Sequence, residues 1–319
     1  MKISRITKAL LSQLVGSLSL IVCTCILFSF FGKYWWAFEL TSHFRIQYFW
    51  SSLALIVLLI LFKRKALAAT LGLLAIANLI AICPHIALNR ETTDAEKGSI
   101  SAMLINVNTQ LGSPEKVSAY VGSINPDFLI LQEISDQWLT DLSKLNTIYP
   151  YRAIETREDN FGIGLYSKHP FTSKSITKLG DSSIPYIRAQ IAIGVKELNI
   201  ITAHTLPPKS KAHAKSRNAQ LKTLATIARI ENEALLLIGD LNITPFSNYF
   251  EEFKKHSGLI DTSDKFGIQA TWPSFMPLLG IQVDHVLYSD NVEVTEKSIG
   301  PRVGSDHYPV LVRFNILGN

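Results

Sequence analysis

Leu237-Ile238-Gly239-Asp240-Leu241-Asn242 is the stretch on which the reading of this 319-residue chain turns. An apolar run closed by a carboxylate is what a buried strand looks like when its end faces a reaction centre. Asp240 and Asn242 alternate, so in an extended segment both point to one face. Alone, the string also fits a turn, because Asp and Asn are turn formers. Its company argues otherwise. Leu104-Ile105-Asn106-Val107-Asn108, Leu129-Ile130-Leu131-Gln132-Glu133, Ile200-Ile201-Thr202-Ala203-His204, Val283-Asp284-His285 and Gly304-Ser305-Asp306-His307 repeat the pattern. Asn160-Phe161-Gly162-Ile163-Gly164 repeats it more weakly. The ordered set Asn, Glu, His, Asp-x-Asn, Asp, Asp-His is hard to reach by accident.

Between residues 99 and 319 the chain alternates. Apolar runs at 102–107, 128–132, 162–166, 187–195, 198–203, 235–239, 283–288 and 309–314 are bounded by Gly, Pro, Asn and Asp, as strands are. Pro114–Ile124 and Ala212–Asn232 carry apolar residues at helical spacing. Strands alternating with helices predict a layered α/β sandwich. Glu133 closes a buried run, and a carboxylate there is costly unless it meets a cation, although a helix cap or solvated turn also fits.

These strings resemble the endonuclease/exonuclease/phosphatase superfamily over roughly Ser99 to Phe314. Gly239–Asn242 and Ser305–His307 are the most specific parts. The resemblance implies an α/β (α+β) four-layer sandwich, with two mixed β-sheets packed face to face and helices outside. It implies metal-dependent phosphoester hydrolysis with Mg²⁺, or Mn²⁺ in its place. Glu133 would be the principal metal ligand, Asp306 the second carboxylate, and Asn106 would help organise metal and phosphate. Asp240 would orient or deprotonate water, Asn242 would contact the phosphate, and His307 would be the general acid/base with Asp284 as its partner. His204 resembles a second catalytic histidine. Its partner lies among Glu158, Asp159 and Asn160, with Asn160 favoured. Arg188 matches a phosphate-facing arginine, but a surface ion pair fits it equally. Asn108 is neutral where abasic-site endonucleases often carry Asp. Thr271-Trp272-Pro273 matches a loop near the site. His169, His213, His256 and His285 read as structural, and His285 should face away from Asp284 on the same strand.

The rest of the chain is of another kind. Leu10–Phe31 and Ala66–Leu88 are uncharged stretches of 22 and 23 residues, and Ile46–Phe62 adds 17. The first two suffice to cross a hydrocarbon core of about 30 Å, and the third is at the short end. Tyr34, Trp35, Trp36, Tyr48, Phe49 and Trp50 suit membrane interfaces. The expected organisation is a membrane anchor over 1–90, a linker over 91–98 and a catalytic domain over 99–319. Lys2, Arg5, Lys8 and Lys63-Arg64-Lys65 predict a cytoplasmic N-terminus and a cytoplasmic 63–65 turn. The catalytic domain would then lie in the periplasm or outside the cell, the membrane being a bacterial inner membrane.

Composition limits the partners. Net charge is +5, but residues 1–90 carry +8 and residues 91–319 carry −3, so the basicity is no sign of nucleic-acid binding by the domain. Lys209, Lys211, Lys215 and Arg217 form a basic run at a helix start and read as a solvated face, with contact to anionic lipid or nucleic acid as the alternative. Cys23, Cys25 and Cys83 all precede the domain, which excludes a disulfide framework there. The expected partners are the lipid bilayer and a phosphoester substrate, in nucleic acid or in a lipid headgroup. No protein partner is inferable. A nuclease, a phospholipid or sphingolipid phosphodiesterase or phosphatase, and a catalytically silent binding protein are the rival functions. A cleft lined by Lys and Arg would favour nucleic acid, and an apolar rim would favour lipid.

Overall fold

A computed structural model describes residues 5–86, 99–231 and 233–317. The expected linker 91–98 and Asn232 lie outside the described residues, as do the last two residues of the third expected span. The chain divides into two compact units: residues up to Ile86 with Pro245–Asn248, and the remainder.

The first unit holds helices α1 (Arg5–Ser29), α2 (Trp36–Ser42), α3 (Arg45–Leu61) and α4 (Lys65–Ile82). Its outer surface is apolar, while its interior mixes Ile26, Leu59 and Leu71 with polar groups. Leu10, Leu14, Leu18, Ile21, Leu73, Ile76 and Ile80 are exposed, whereas Ser19, Ser52 and Asn78 are buried. Inside, Arg45 donates to Asn78 Oδ1 at 3.1 Å and to the Ser29 carbonyl at 3.0 Å. Small and polar residues between helices with apolar residues outside are what lipid-facing bundles show. Arg5–Ser29 and Lys65–His85 are long and apolar enough to cross a membrane, and the α2–α3 pair, bent by 66°, makes a third if counted as one span.

The second unit contains two mixed six-stranded sheets. Its strands are β1 (Ile100–Asn106), β2 (Phe128–Gln132), β3 (Tyr151–Glu155), β4 (Ile163–Ser167), β5 (Phe171–Lys178), β6 (Pro185–Ile193), β7 (Lys196–Ala203), β8 (Ala234–Asp240), β9 (Ile260–Asp261), β10 (Asp284–Tyr288), β11 (Val292–Ile299) and β12 (Val310–Ile316). One sheet runs β11-β12-β1-β2-β4-β3 and the other β5-β6-β7-β8-β10-β9. Each has one parallel pair at its centre, β1 with β2 and β7 with β8. Four helices of this unit bear on the layers: α5 (Pro114–Ile124), α6 (Asp136–Asp141), α7 (Lys211–Arg229) and α8 (Asn248–Ser257), followed by the short α9 (Thr262–Phe266).

Period-two alternation builds the layers. Leu104, Phe128, Ile130, Ile200, Leu236, Ile238 and Val286 pack into one core between the sheets. Met103, Ile105, Leu129 and Leu131 turn the other way, onto Val117 and Val121 of α5 and Trp138 of α6. Ile201, Leu235, Leu237 and Leu287 turn onto Leu221 and Leu224 of α7 and Phe250 and Phe253 of α8. The result is the expected four-layer sandwich. Helix α5 has the expected bounds. Ser113 caps it, accepting from the Lys116 amide, with Pro114 in the first turn where a missing N–H costs nothing. Helix α7 ends at Arg229, short of the expected 232.

Candidate active site

The same parity carries the inward-facing series of each strand past the core to the sheet edge. Asn106 extends the Ala102–Leu104 series, Gln132 the Phe128–Ile130 series, His204 the Leu198–Ile200 series, Asp240 the Leu236–Ile238 series, and Asp284 the Tyr288–Val286 series. Register aligns the ends: Asn106 lies opposite Gln132 in one sheet and Asp240 opposite Asp284 in the other. Thus alternating apolar strands deliver polar side chains into the gap between the two sheets. Gln132 ties that gap shut. Its Nε2 donates to the Ala203 carbonyl at 2.9 Å, and its Oε1 accepts from the Asp240 amide at 3.0 Å. Gly239 permits this approach, because a Cβ there would sit 2.0 Å from the Ala203 carbonyl oxygen.

Where the alternation must break, the backbone is left-handed. Asn108, Glu133, Asn160 and Asn242 have φ of 55°, 62°, 66° and 48°. Asn tolerates this region; for Glu it costs roughly 1–2 kcal/mol. At Glu133 the turn is held by its amide donating to the Gly162 carbonyl at 2.8 Å and its carbonyl accepting from Thr109 Oγ1 at 2.8 Å. Left-handed backbone concentrated at one cleft is typical of functional sites.

Asp240 is the hub. Its Oδ2 is 3.5 Å from His204 Nε2, 3.7 Å from His307 Nε2 and 3.3 Å from Asn106 Nδ2. Its Oδ1 accepts from the Asn242 amide at 2.9 Å. His307 Nδ1 lies 2.8 Å from Asp284 Oδ2 and must donate, since the carboxylate can only accept. Asn106 Nδ2 also donates to Glu133 Oε1 at 2.9 Å, while its Oδ1 accepts from the Asn108 amide. Asn106 therefore turns its donor, not its oxygen, toward the two acids, which suits organising them better than ligating beside them. Asp306 accepts from Asn108 Nδ2 at 2.8 Å and from Trp272 Nε1 at 3.0 Å. Both donors are neutral.

Burial and neighbours separate the protonation states. Desolvation lowers His204 to about 3, and the nearby His307 charge adds to this. Burial also opposes charge on His307, but Asp284, by charge and hydrogen bond, and Asp240 outweigh it and lift the imidazole to about 10. Burial, then the Asp284 charge, pushes Asp240 up to about 8. Burial raises Glu133 as well, against the Asn106 hydrogen bond. Asp284 is lowered, because His307 overcomes its desolvation. The site thus holds a protonated imidazole, a neutral imidazole and a carboxyl group that exchanges its proton near neutrality.

Two donor sets bear on a metal. Asp240, Asp284 and His307 place ligand atoms within 4.8 Å of one another. In that set Nδ1 and Asp284 Oδ2 are already spent on each other. Glu133 Oε2 is buried and has no hydrogen-bond partner, an orphan oxygen of the kind a hard cation satisfies. The residues present therefore fit a divalent ion at Glu133.

The remaining expected site residues fall as follows. Asn160 and Asn242 line the cleft with His204 and His307. Asn160 favours the protonated His204 ring through its backbone, yet His204 Nδ1 finds no partner within hydrogen-bond geometry. Phe161 packs on that ring, with centroids 5.0 Å apart. Arg188 is not brought to the cluster. Ile187 and Ala189 take the inward face of β6, so Arg188 points outward and pairs with Glu231 at 2.7 Å. The surface ion pair replaces the expected phosphate contact. His285 faces away from Asp284, as alternation requires, and bonds the Ile243 carbonyl at 2.8 Å. The basic run divides: Lys209, Lys211 and Lys215 are exposed, but Arg217 is fully buried and donates to the Asn242 carbonyl at 2.9 Å. His213, read as structural, is exposed at the cleft beside Lys209. Gln132, Ser305 and Thr271 lie in the strings quoted from the sequence, but their positioning roles emerge only in the fold. Ser305 Oγ donates to the Asn106 carbonyl at 2.7 Å and accepts from the His307 amide at 3.0 Å, and Thr271 Oγ1 accepts from the Asp284 amide at 3.2 Å. For Gln132 the signal was its parity with Phe128 and Ile130.

The model of the Endonuclease/Exonuclease/phosphatase family matches residues 103–307. The chain belongs to this family. It is accordingly a hydrolase of phosphoester bonds, and enzymes of this family typically use a divalent metal. No curated protein matches the sequence significantly. Solved structures share the fold. TDP2 of D. rerio, complexed with a single-strand DNA product, is 17% identical, with a TM-score of 0.59 over 69% of this chain and 100% of that one. An endonuclease/exonuclease/phosphatase of Beutenbergia cavernae is 17% identical, with a TM-score of 0.56 over 69% and 72%. The human Nocturnin catalytic domain, with bound sulfate, is 18% identical, with a TM-score of 0.54 over 68% and 94%.

Proposed function

We propose that the protein is a membrane-anchored, Mg²⁺-dependent phosphodiesterase whose site acts outside the cytoplasm. The observation that carries this reading is the convergence of His204, His307 and Asn106 on one oxygen, Asp240 Oδ2. Asp240 is the proton acceptor for the attacking water, and its elevated pKa suits that task near neutral pH. As the water oxygen bonds to phosphorus, its proton passes to Asp240. The opposite P–O bond breaks, and His307, kept protonated by Asp284, supplies the proton to the leaving oxygen. Neutral His204 orients the phosphate together with the Asn242 side chain, whose Nδ2 gives one hydrogen to the Thr205 carbonyl at 2.8 Å and keeps the other for the substrate. Glu133 and Asp306 would hold Mg²⁺, with Mn²⁺ as a substitute, and Asn106 sets the carboxylates. When bound, the ion supplies Lewis-acid polarisation of the phosphate. The exposed apolar faces of α1, α3 and α4 support three spans, and the charge bias of the loops supports a cytoplasmic N-terminus with the domain in the periplasm or outside the cell.

The test is product release by the detergent-solubilised full chain, with and without chelator. Plasmid DNA, single-stranded DNA, RNA, bis(p-nitrophenyl) phosphate, phospholipids and inositol phosphates are the substrates. The D. rerio TDP2 complex makes single-stranded DNA a necessary member of the panel. Metal-dependent hydrolysis of at least one diester is expected, and Glu133→Gln should abolish it. A chain inert toward every substrate with Mg²⁺ and Mn²⁺ would support the catalytically silent reading instead.

A further inference from the structure

The segment after Trp272 carries the strongest exposed apolar feature of the catalytic domain. Phe275, Met276, Leu278 and Leu279 are 54%, 45%, 91% and 45% exposed. No charged residue occurs from Gly267 to Val283. The segment is a built loop. Its base is closed by the Trp272–Ile281 bridge, with the Ile281 amide donating to the Trp272 carbonyl at 2.7 Å. Its tip is folded by the amides of Met276, Leu279 and Gly280 donating to the carbonyls of Pro273, Met276 and Pro277. Ser274 pins it to the site: its amide donates to the Asp306 carbonyl at 2.7 Å and its hydroxyl to the Ser305 carbonyl at 2.7 Å. Trp272, at the root, both lines the cleft and holds Asp306. An apolar loop thus stands on the rim of the active site.

We infer that Phe275–Leu279 docks into the lipid bilayer, seating the cleft over phosphoesters in lipid headgroups. This rests on the phosphodiesterase reading above. Contiguous exposed apolar side chains mark an interaction surface. The occupant follows from the rest of the chain. The same polypeptide carries helices long and apolar enough to cross a membrane, so a bilayer is always at high effective concentration to this loop. Apolar side chains flanked by an aromatic ring and free of charge suit the headgroup–acyl boundary. The cleft itself disfavours the alternative. Among the described residues that line it, Lys209 is the one Lys or Arg, against Glu133, Asp159, Asp240 and Asp306. Tracking a nucleic-acid backbone needs a basic groove.

The test uses the full chain in nanodiscs of phosphatidylcholine, phosphatidylglycerol and sphingomyelin. An environment-sensitive fluorophore is placed on Leu278→Cys, with Cys23, Cys25 and Cys83 changed to Ser. Blue-shifted emission, quenched by spin-labelled lipid, is expected. In the Phe275→Ser/Leu278→Ser/Leu279→Ser variant, hydrolysis of sphingomyelin or phosphatidylcholine in the disc should fall at least about tenfold, because interfacial binding scales with buried apolar area. Hydrolysis of bis(p-nitrophenyl) phosphate should be unchanged, which also reports that the variant folds. An unquenched label with water-like emission overturns the inference. So does bilayer-lipid hydrolysis that the triple variant leaves intact, or turnover of single-stranded DNA with none of lipid. A wild type inert toward the soluble diester would overturn the catalytic reading instead, since the label's position is read without turnover.

Discussion

Nδ1 of His307 is bonded to Oδ2 of Asp284 at 2.8 Å, while Nε2 of the same ring faces Asp240 at 3.7 Å. One imidazole thus bridges two acids from adjacent strands, one lowered and one raised in pKa. Asp284 fixes the tautomer and the charge of the ring, so removing either member removes the same oriented proton donor.

His307→Ala should therefore lower kcat/KM by about 10²–10⁴-fold, as for other positioned general acids. Asp284→Ala should approach that loss, and the double variant should be little worse than His307→Ala. His285→Gln, on the outer face of β10, should change kcat little. Steady-state kinetics of the four proteins checks this; effects of Asp284 and His307 that multiply would break the pairing.

The metal assignment rests on Glu133, whose Oε2 is buried and unpartnered. Glu133→Gln keeps the shape and removes the charge. Activity should fall at least about a hundredfold, the scale for loss of a main electrostatic contributor. The metal-free variant should melt no lower than the metal-free wild type, because the carboxylate it replaces is disfavoured by burial. Mg²⁺ should raise the melting temperature of the wild type alone. Thermal scans with chelator and with Mg²⁺ measure both.

What the sequence made legible was what local periodicity encodes. Pro114–Ile124 shows a Pro in its first turn and apolar residues at helical spacing, and it forms with those bounds. The apolar run of β8 closed by Asp240 marks a buried strand end, but Leu235 and Leu237 are as apolar as Leu236 and Ile238, so which face of the sheet the acid takes follows only from the fold. Strands β3, β5, β9 and β11 were not legible. β5 reads Phe-Thr-Ser-Lys-Ser-Ile-Thr-Lys and is largely exposed at a sheet edge, so it has no apolar run to betray it. The residues that were misplaced or missed depend on where distant strands meet. Arg217 looks like one more solvated cation until Asn242, 25 residues on, turns its carbonyl toward it. Gln132 acquires its role only because the second sheet brings Ala203 and Asp240 within reach.

Gln132→Leu tests that role. The change leaves the Ala203 carbonyl and the Asp240 amide buried without partners, at a cost of about 1–3 kcal/mol each. The melting temperature should fall by several degrees. kcat should fall as well, since the Asp240 backbone loses its tether to the other sheet. A variant with wild-type melting and turnover would show that the sheet ends hold their spacing without it.

The proposed topology, with Lys63-Arg64-Lys65 on the cytoplasmic side, rests on charge bias. In a bacterial host, a C-terminal alkaline phosphatase fusion should be active and a C-terminal fluorescent protein, exported unfolded, should be dark. The opposite pair of results would invert the orientation.

Stability should fall with rising pH in the metal-free protein, and the sign follows from two groups. His307 is raised from 6.5 to about 10, so the stability it contributes is fully present below about 6.5 and is lost as pH climbs toward 10. Asp240 is raised from 3.8 to about 8; the folded state retains a proton that the unfolded chain has already released, and folding is penalised increasingly up to that pH. His204, lowered to about 3, is neutral when folded; its unfolded form loses its remaining charge just above 6.5, so it opposes the trend only slightly at the start of the window. Between pH 6.5 and 8 the two trends therefore run together, the folded protein binding more protons than the unfolded. Chelator-treated protein should melt at least about 3 °C lower at pH 8 than at pH 6.5, since roughly 1 kcal/mol moves a domain of this size by 2–4 °C. The gap should shrink in Asp240→Asn, which removes the strained carboxylate. Melting that rises with pH across this window would contradict the protonated His307 on which the proposed proton donation depends.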